Sequence, residues 1–301
     1  MKISPILLGL SLAAVGSSLA AAQDASTSAP PKVLQITREW VKPGKTGMVH
    51  DKSEASFVSL MNRGKLQGHY VALNSMSGKS RALYITRYPS FEAWESDNKI
   101  FEKNAALGAE FDRDIENDGA LLDGLDQVVY VYEPELSYHP HSEISHARYY
   151  EINVFHVRPG HRKDWYEVTK MYKEANDKAG TTAHWACYEI AYGGEAGTYI
   201  AITARDSLTE VDTAFGENAK IAAALGGEKG MQKLDDLFWQ ALDSSRTELF
   251  SVNPKQSYAE EAWIKGDPAF WKPKAAASSA AKPAASATAK PAAATPKPAS
   301  R

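Results

Sequence analysis

Imidazole is the side chain best suited to chemistry near neutral pH, and two of the eight histidines stand out by their setting. His69 and His184 occupy equivalent places in two similar stretches of the chain, and each is followed by a large aromatic residue, Tyr70 or Trp185. Paired across a pseudo-twofold axis, they could bind a metal, a haem or an anionic ligand. The competing reading is plainer: histidines at strand entries that cap backbone groups. His156 lies in a stretch of alternating residues where the matching position upstream holds Trp40. Alternation puts His156 on one face with Tyr150, Ile152 and Val154, a face expected to be buried. Arg38, Asn153, Tyr188 and Glu189 are polar strand residues able to orient a small ligand, and Tyr130 and Tyr132 add aromatic wall. Tyrosine is also an ordinary occupant of half-buried strands.

Other chemistry is poorly supported. His139-Pro140-His141 with His146 puts three imidazoles within eight residues, but neither carboxylate nor thiolate completes a standard spacing, so the segment reads as a linker and no metal site is assigned. Cys187 is the single cysteine, which rules out an intramolecular disulfide and reads as a small core hydrophobe. The chain has no Gly-rich phosphate loop, no G-x-S-x-G, no H-E-x-x-H and no C-x-x-C. Catalytic residues are therefore not assigned.

The elements that must position these residues come in two copies, 33–138 and 149–258, joined by 139–148. Val41-Lys42-Pro43-Gly44-Lys45 returns as Val157-Arg158-Pro159-Gly160-His161, Gly68-His69-Tyr70 as Ala183-His184-Trp185, and Pro134 with Ser137-Tyr138 as Pro254 with Ser257-Tyr258. Each copy opens with a β-branched and aromatic run ending at a Pro-Gly turn. A first helix follows, with Val49, Ser53, Phe57 and Leu60 at helical spacing in one copy and Trp165, Val168, Tyr172 and Ala175 in the other. Two hairpin strands come next, then a helix starting after Ser90 or Ser207 as N-cap, then a closing strand at Gln127–Glu133 or Arg246–Val252. The periodicity is clearest after Ser207, in Leu208, Val211, Phe215, Asn218, Ala222 and Leu225.

Strand, helix, strand, strand, helix, strand is the ferredoxin-like unit. The expected fold is α+β: two tandem βαββαβ repeats whose sheets close on each other as an intrachain pseudo-dimeric barrel. The repeated unit, the V-[KR]-P-G turn leading straight into an amphipathic helix, and the duplication resemble the dimeric α+β barrel superfamily. Its members include antibiotic-biosynthesis-type monooxygenases, haem-degrading monooxygenases, chlorite-dismutase-like proteins and stress-responsive barrel proteins. The resemblance implies a pocket between each sheet and its helices, or inside the barrel. Haem-binding relatives ligate iron through one histidine, so it also implies haem as a possible cofactor, with His69, His156 and His184 all eligible. The residues proposed to line a ligand pocket are His69, Tyr70, His156, His184, Trp185, Tyr188 and Arg38. The expected ligand is a small apolar or aromatic molecule, with a monooxygenase-like or haem-handling enzyme as the alternative.

The ends of the chain read differently. Residues 1–22 have the form of a signal peptide, with Lys2, an apolar run from Ile6 to Val15, and Ala20-Ala21-Ala22 before Gln23, which predicts a periplasmic or secreted protein. No stretch reaches transmembrane length. Residues 272–301 are Ala, Pro, Ser, Thr and Lys with Lys-Pro recurring, a composition with nothing to bury, and are read as a disordered tail able to touch an anionic envelope weakly. A scaffold tethered by this tail is a further alternative. Without Lys2 and the six basic residues of the tail, the 34 basic residues fall to 27 against 37 acidic ones, a net of −10. An acidic body argues against nucleic acid as a partner. A duplicated unit needs no second chain to close its barrel, so both a monomer and a homodimer are compatible with it.

Overall fold

A computed structural model describes residues 29–141 and 143–272. The signal-peptide reading, and all of the tail reading except Lys272, fall outside the described residues. The first copy contains β1 (Val33–Val41), α1 (Met48–Gly64), β2 (His69–Ser75), β3 (Ala82–Tyr88), α2 (Phe91–Lys103), α3 (Ala105–Gly119) and β4 (Leu122–Tyr132). The second contains β5 (Tyr149–Val157), α4 (Arg162–Ala179), β6 (Ala186–Tyr192), β7 (Thr198–Arg205), α5 (Thr209–Ala224), α6 (Glu228–Ala241) and β8 (Leu242–Val252). Two short helices follow, α7 (Glu261–Gly266) and α8 (Pro268–Trp271).

The eight strands form one closed barrel in the order β1-β3-β2-β8-β5-β7-β6-β4. Read around the ring, this is the ferredoxin strand order 4-1-3-2 followed by the same order in the second copy, all pairs antiparallel. The expected α+β barrel built from a tandem duplication is what the chain adopts. Closure follows from the strand pattern: most strands carry alternating apolar residues that point inward, so a sheet with helices on one face must bury the other. Leu34, Ile36, Val71, Ile85, Val128, Ile152, Val154, Ile200 and Phe250 fill the barrel. Trp263 and Trp271 of the final helices fold back on this core, and Trp271 Nε1 donates to the Ser145 carbonyl at 2.8 Å. No described helix is long and apolar enough to cross a membrane.

The helices depart from the sequence reading on α1 and α5, and α3 is an added helix that the expected βαββαβ order of the first copy does not contain. On α1 the buried stripe is His50, Glu54 and Leu60, while Val49 is 51 % exposed. The spacing predicts an apolar stripe, and of that set only Leu60 is fully buried, beside two polar residues. Ser207 does not cap α5: the helix starts at Thr209 with Leu208 at its N-cap, whereas Ser90 Oγ does accept from Ala93 N. The periodic apolar residues of α5 are also not all core, since Phe215 is 72 % exposed.

Candidate functional site

On the outer face of the second-copy sheet, the residues that alternate with the barrel core point at α4, α5 and α6. Between the two layers lies a cavity of about 540 Å³, within the range of small-molecule sites. Its floor is Asn153 and Phe155 of β5, Cys187 of β6, Ala201 and Thr203 of β7 and Thr247 of β8. Its walls are aromatic. Phe155 lies 4.7 Å from Trp165 and 6.3 Å, edge-on, from Phe238, and Tyr172 lies 5.7 Å from Trp185 between ring centres. Phe215 and Met231 line the same cavity and are exposed, so its mouth is apolar.

The polar groups around it are mostly committed. Arg205 holds Glu151 through Nη2–Oε2 at 2.8 Å, and Glu217 accepts from the Thr182 backbone N–H and hydroxyl, both at 3.1 Å. Trp185 Nε1 donates to the Leu136 carbonyl at 2.7 Å. The exception is Trp165: its residue is 5 % exposed and its indole N–H has no partner. A buried unpaired donor costs about 1–3 kcal/mol, and this one lies within the wall of the cavity with almost no accessible surface of its own. Burial pushes the Cys187 thiol far above its ordinary range, which keeps it neutral and unreactive.

Of the candidate ligand residues singled out from sequence, Asn153, His184 and Trp185 reach this cavity. His69 and His184 are not paired: β2 and β6 stand on opposite sides of the ring, so the pseudo-twofold separates them rather than joining them. His69 stacks on Tyr258 at 4.2 Å, with Nδ1 3.2 Å from the Tyr258 carbonyl. Tyr70 lies under the first-copy helices, 5.8 Å from Tyr84, and its hydroxyl is pushed well above the usual tyrosine range by burial and then by nearby Glu54. Tyr188 points the opposite way from Cys187, into the barrel, 5.4 Å from Tyr132. There it lines a small cavity of about 60 Å³ together with Arg87 and His141. Arg38 forms a two-pronged pair with Asp126, at 2.6 and 2.7 Å. His156 shares the face of buried Tyr150, Ile152 and Val154 but sits at the strand end, half-buried, with Nδ1 3.1 Å from Thr198 Oγ1.

The large cavity offers haem no iron ligand. His184 is the one histidine lining the large cavity, its ring stacks flat on His141 at 4.2 Å, and both nitrogens face backbone carbonyls, Thr182 at 3.2 Å and Ala204 at 3.0 Å. Neither nitrogen of His184 is left to ligate iron in this cavity.

One group of side chains was missed altogether. Among the described residues, Glu39, His50, Glu54 and Asp118 converge in the first copy with ligand atoms mutually within 4.8 Å. A signal existed, because His50 and Glu54 stand four residues apart on a predicted helix and so share a face.

No protein-family profile and no curated protein matches the chain. Solved structures of similar shape include a suggested monooxygenase from Fusobacterium nucleatum subsp. nucleatum, 12 % identical, TM-score 0.49, covering 74 % of this chain and 93 % of that one. An anthrone oxidase-like protein is 11 % identical with TM-score 0.49, covering 76 % and 94 %. A double mutant of chlorite dismutase from Candidatus Nitrospira defluvii is 11 % identical with TM-score 0.46, covering 79 % and 96 %. These likenesses carry no activity over to this chain, whose fold rests on its own strand order.

Proposed function

We propose that this protein binds a small planar aromatic molecule bearing a hydrogen-bond acceptor, in the cavity between the second-copy sheet and α4–α6. The observation that carries the proposal is an aromatic-walled space of about 540 Å³ with the unpaired indole N–H of Trp165 buried in its wall. Burial of aromatic faces supplies affinity, and the one unmet donor supplies orientation and selects a carbonyl or hydroxyl oxygen over a plain hydrocarbon. The exposed Phe215 at the mouth provides the first apolar contact on entry. Export, with removal of residues 1–22, belongs to the same proposal, and the mass of protein recovered from outside the cytoplasm would test it.

For binding, the probes are 2-naphthol and 9-fluorenone, titrated while tryptophan fluorescence is followed, with Trp165 and Trp185 both in the walls. Saturable quenching at one equivalent is expected. Trp165→Phe should weaken binding about tenfold, the equivalent of one lost hydrogen bond, and Phe215→Ala should weaken it without lowering stability. Absence of saturable binding of either probe at millimolar concentration, together with a bare polypeptide in native mass spectra, would overturn the proposal.

A further inference from the structure

We infer that Glu39, His50, Glu54 and Asp118 form a closed binding site for one divalent first-row cation, of the Mn(II) or Zn(II) type, which ties β1, α1 and α3 together. The four residues come from three elements. Glu39 is on the helix-facing side of β1, His50 and Glu54 are one turn apart on α1, and Asp118 is in the last turn of α3. His50 Nε2 lies 3.1 Å from Glu39 Oε2, 3.7 Å from Glu54 Oε1 and 3.7 Å from Asp118 Oδ1. With metal–ligand bonds of about 2.0–2.2 Å, neighbouring ligand atoms stand roughly 3–4 Å apart, so the four need to move little to surround a cation.

Two features point to a ligand rather than to a self-contained polar network. All four side chains are 2–7 % exposed, no described Lys or Arg pairs with the three carboxylates, and the only cationic candidate is one imidazole. Burying carboxylates without compensation is costly. More directly, Glu54 Oε1 and Asp118 Oδ1, two of the atoms that face His50 Nε2, have no hydrogen-bond partner, and the Tyr84 hydroxyl nearby has none either. One cation would satisfy both carboxylate oxygens and offset the negative charge. Three carboxylates and one imidazole, with no thiolate, select a divalent ion of intermediate hardness over Cu(I).

The duplicated fold supplies a control. Strand register makes Glu39 equivalent to Phe155, since each lies opposite the same positions of its neighbours, Ala82 and Leu125 for one and Tyr199 and Ser245 for the other. Buried residues of the first helices match at His50 and Trp165, Glu54 and Thr169, Leu60 and Ala175. Asp118 and Phe238 each precede the first residue of a closing strand by four. At four equivalent positions the second copy thus holds Phe155, Trp165, Thr169 and Phe238, so the architecture itself does not require the polar set.

The outer partner of His50 is Gln256, from the segment after β8. Its amide nitrogen lies 3.3 Å from His50 Nδ1 and 3.1 Å from Asp51 Oδ1, while its Oε1 is unpaired. In this arrangement the proton of a neutral ring is on Nε2, pointing at the carboxylates. A cation at Nε2 takes the other tautomer: the ring proton moves to Nδ1 and the Gln256 amide turns so that its unpaired Oε1 accepts it.

The full-length protein, freed of metal with chelator, would be titrated with Mn(II) alone, following loss of the free-ion electron paramagnetic resonance signal, and with Zn(II) alone by calorimetry. One tight equivalent is expected, with a rise in melting temperature and selective broadening of the His50 ring resonances by Mn(II). Glu54→Gln and Asp118→Asn keep shape and remove charge, and each should weaken binding at least tenfold while the circular dichroism spectrum stays that of wild type. The broadening measurement needs only wild-type protein, so it stands even if a variant fails to fold. No tight equivalent of either ion, or one that leaves His50 unbroadened and is indifferent to both variants, would overturn the site.

Discussion

The two copies share a strand order and a turn sequence but differ in what lies between sheet and helices. In the first copy, Glu39, His50, Glu54 and Asp118 converge there and Phe111 packs 5.0 Å from Phe101 and 5.8 Å from Phe57. In the second, Phe155, Trp165, Thr169 and Phe238 stand at the same four positions, and the layer is open by about 540 Å³. The closed barrel in the middle explains how this divergence is tolerated. Stability comes from the shared interior, so each outer layer can specialise: one as a pinned polar junction, the other as a receptacle.

The largest test of this contrast is Trp165→Ala. Trp165 is 5 % exposed and packs against Phe155 and Tyr199, so its removal should cost about 3–5 kcal/mol in chemical denaturation. The variant should also lose the aromatic probes; a loss below about 1 kcal/mol would mean that the receptacle is already loose. A smaller effect is expected where α1 and α4 end. Lys65 caps α1 at φ 53, ψ 45, whereas Gly180 caps α4 at φ 60, ψ 46. A left-handed residue with a Cβ costs roughly 1–2 kcal/mol, partly offset by the extra freedom glycine has when unfolded. Lys65→Gly should therefore stabilise the protein by up to about 1 kcal/mol, and a lowered melting temperature would contradict the equivalence of the two caps.

The smallest effect concerns pH. Burial, and then the stacked His184, lowers the His141 pKa. A histidine depressed in the folded state binds its proton more readily when unfolded, so its contribution is complete above about pH 6.5 and is lost as pH falls from there through the folded value. His141 is exposed, so the slope should be shallow, and His141→Phe should flatten it in melts between pH 7.5 and 5.

The repeat made the barrel readable. Val41-Lys42-Pro43-Gly44 and its later copy mark equivalent strand ends, and alternation in Val33–Val41 and Tyr149–Val157 already separates barrel-facing from helix-facing residues. The site was less legible because helix reading relies on apolar periodicity. On α1 that signal favoured Val49 and Ser53 over His50 and Glu54, which are buried through one another and through Glu39 and Asp118, far away in sequence. For His69 and His184, equivalence in sequence was legible but distance in space was not. Symmetry about the barrel axis places equivalent residues on opposite walls, and only strand order reveals that.

The ring is unevenly stitched. β1–β4 and β5–β8 each hold nine register pairs, while the junctions between copies, β2–β8 and β4–β6, hold three and four, and β6–β7 within the second copy also holds four. Parting the two junctions between copies would leave two four-stranded halves, each baring two strand edges. Since the edges of one half fit the other half of any copy of the chain, a barrel that reopens during folding has a ready route to exchange halves with a neighbour, and the 139–148 connector is what keeps the local partner ahead in that competition.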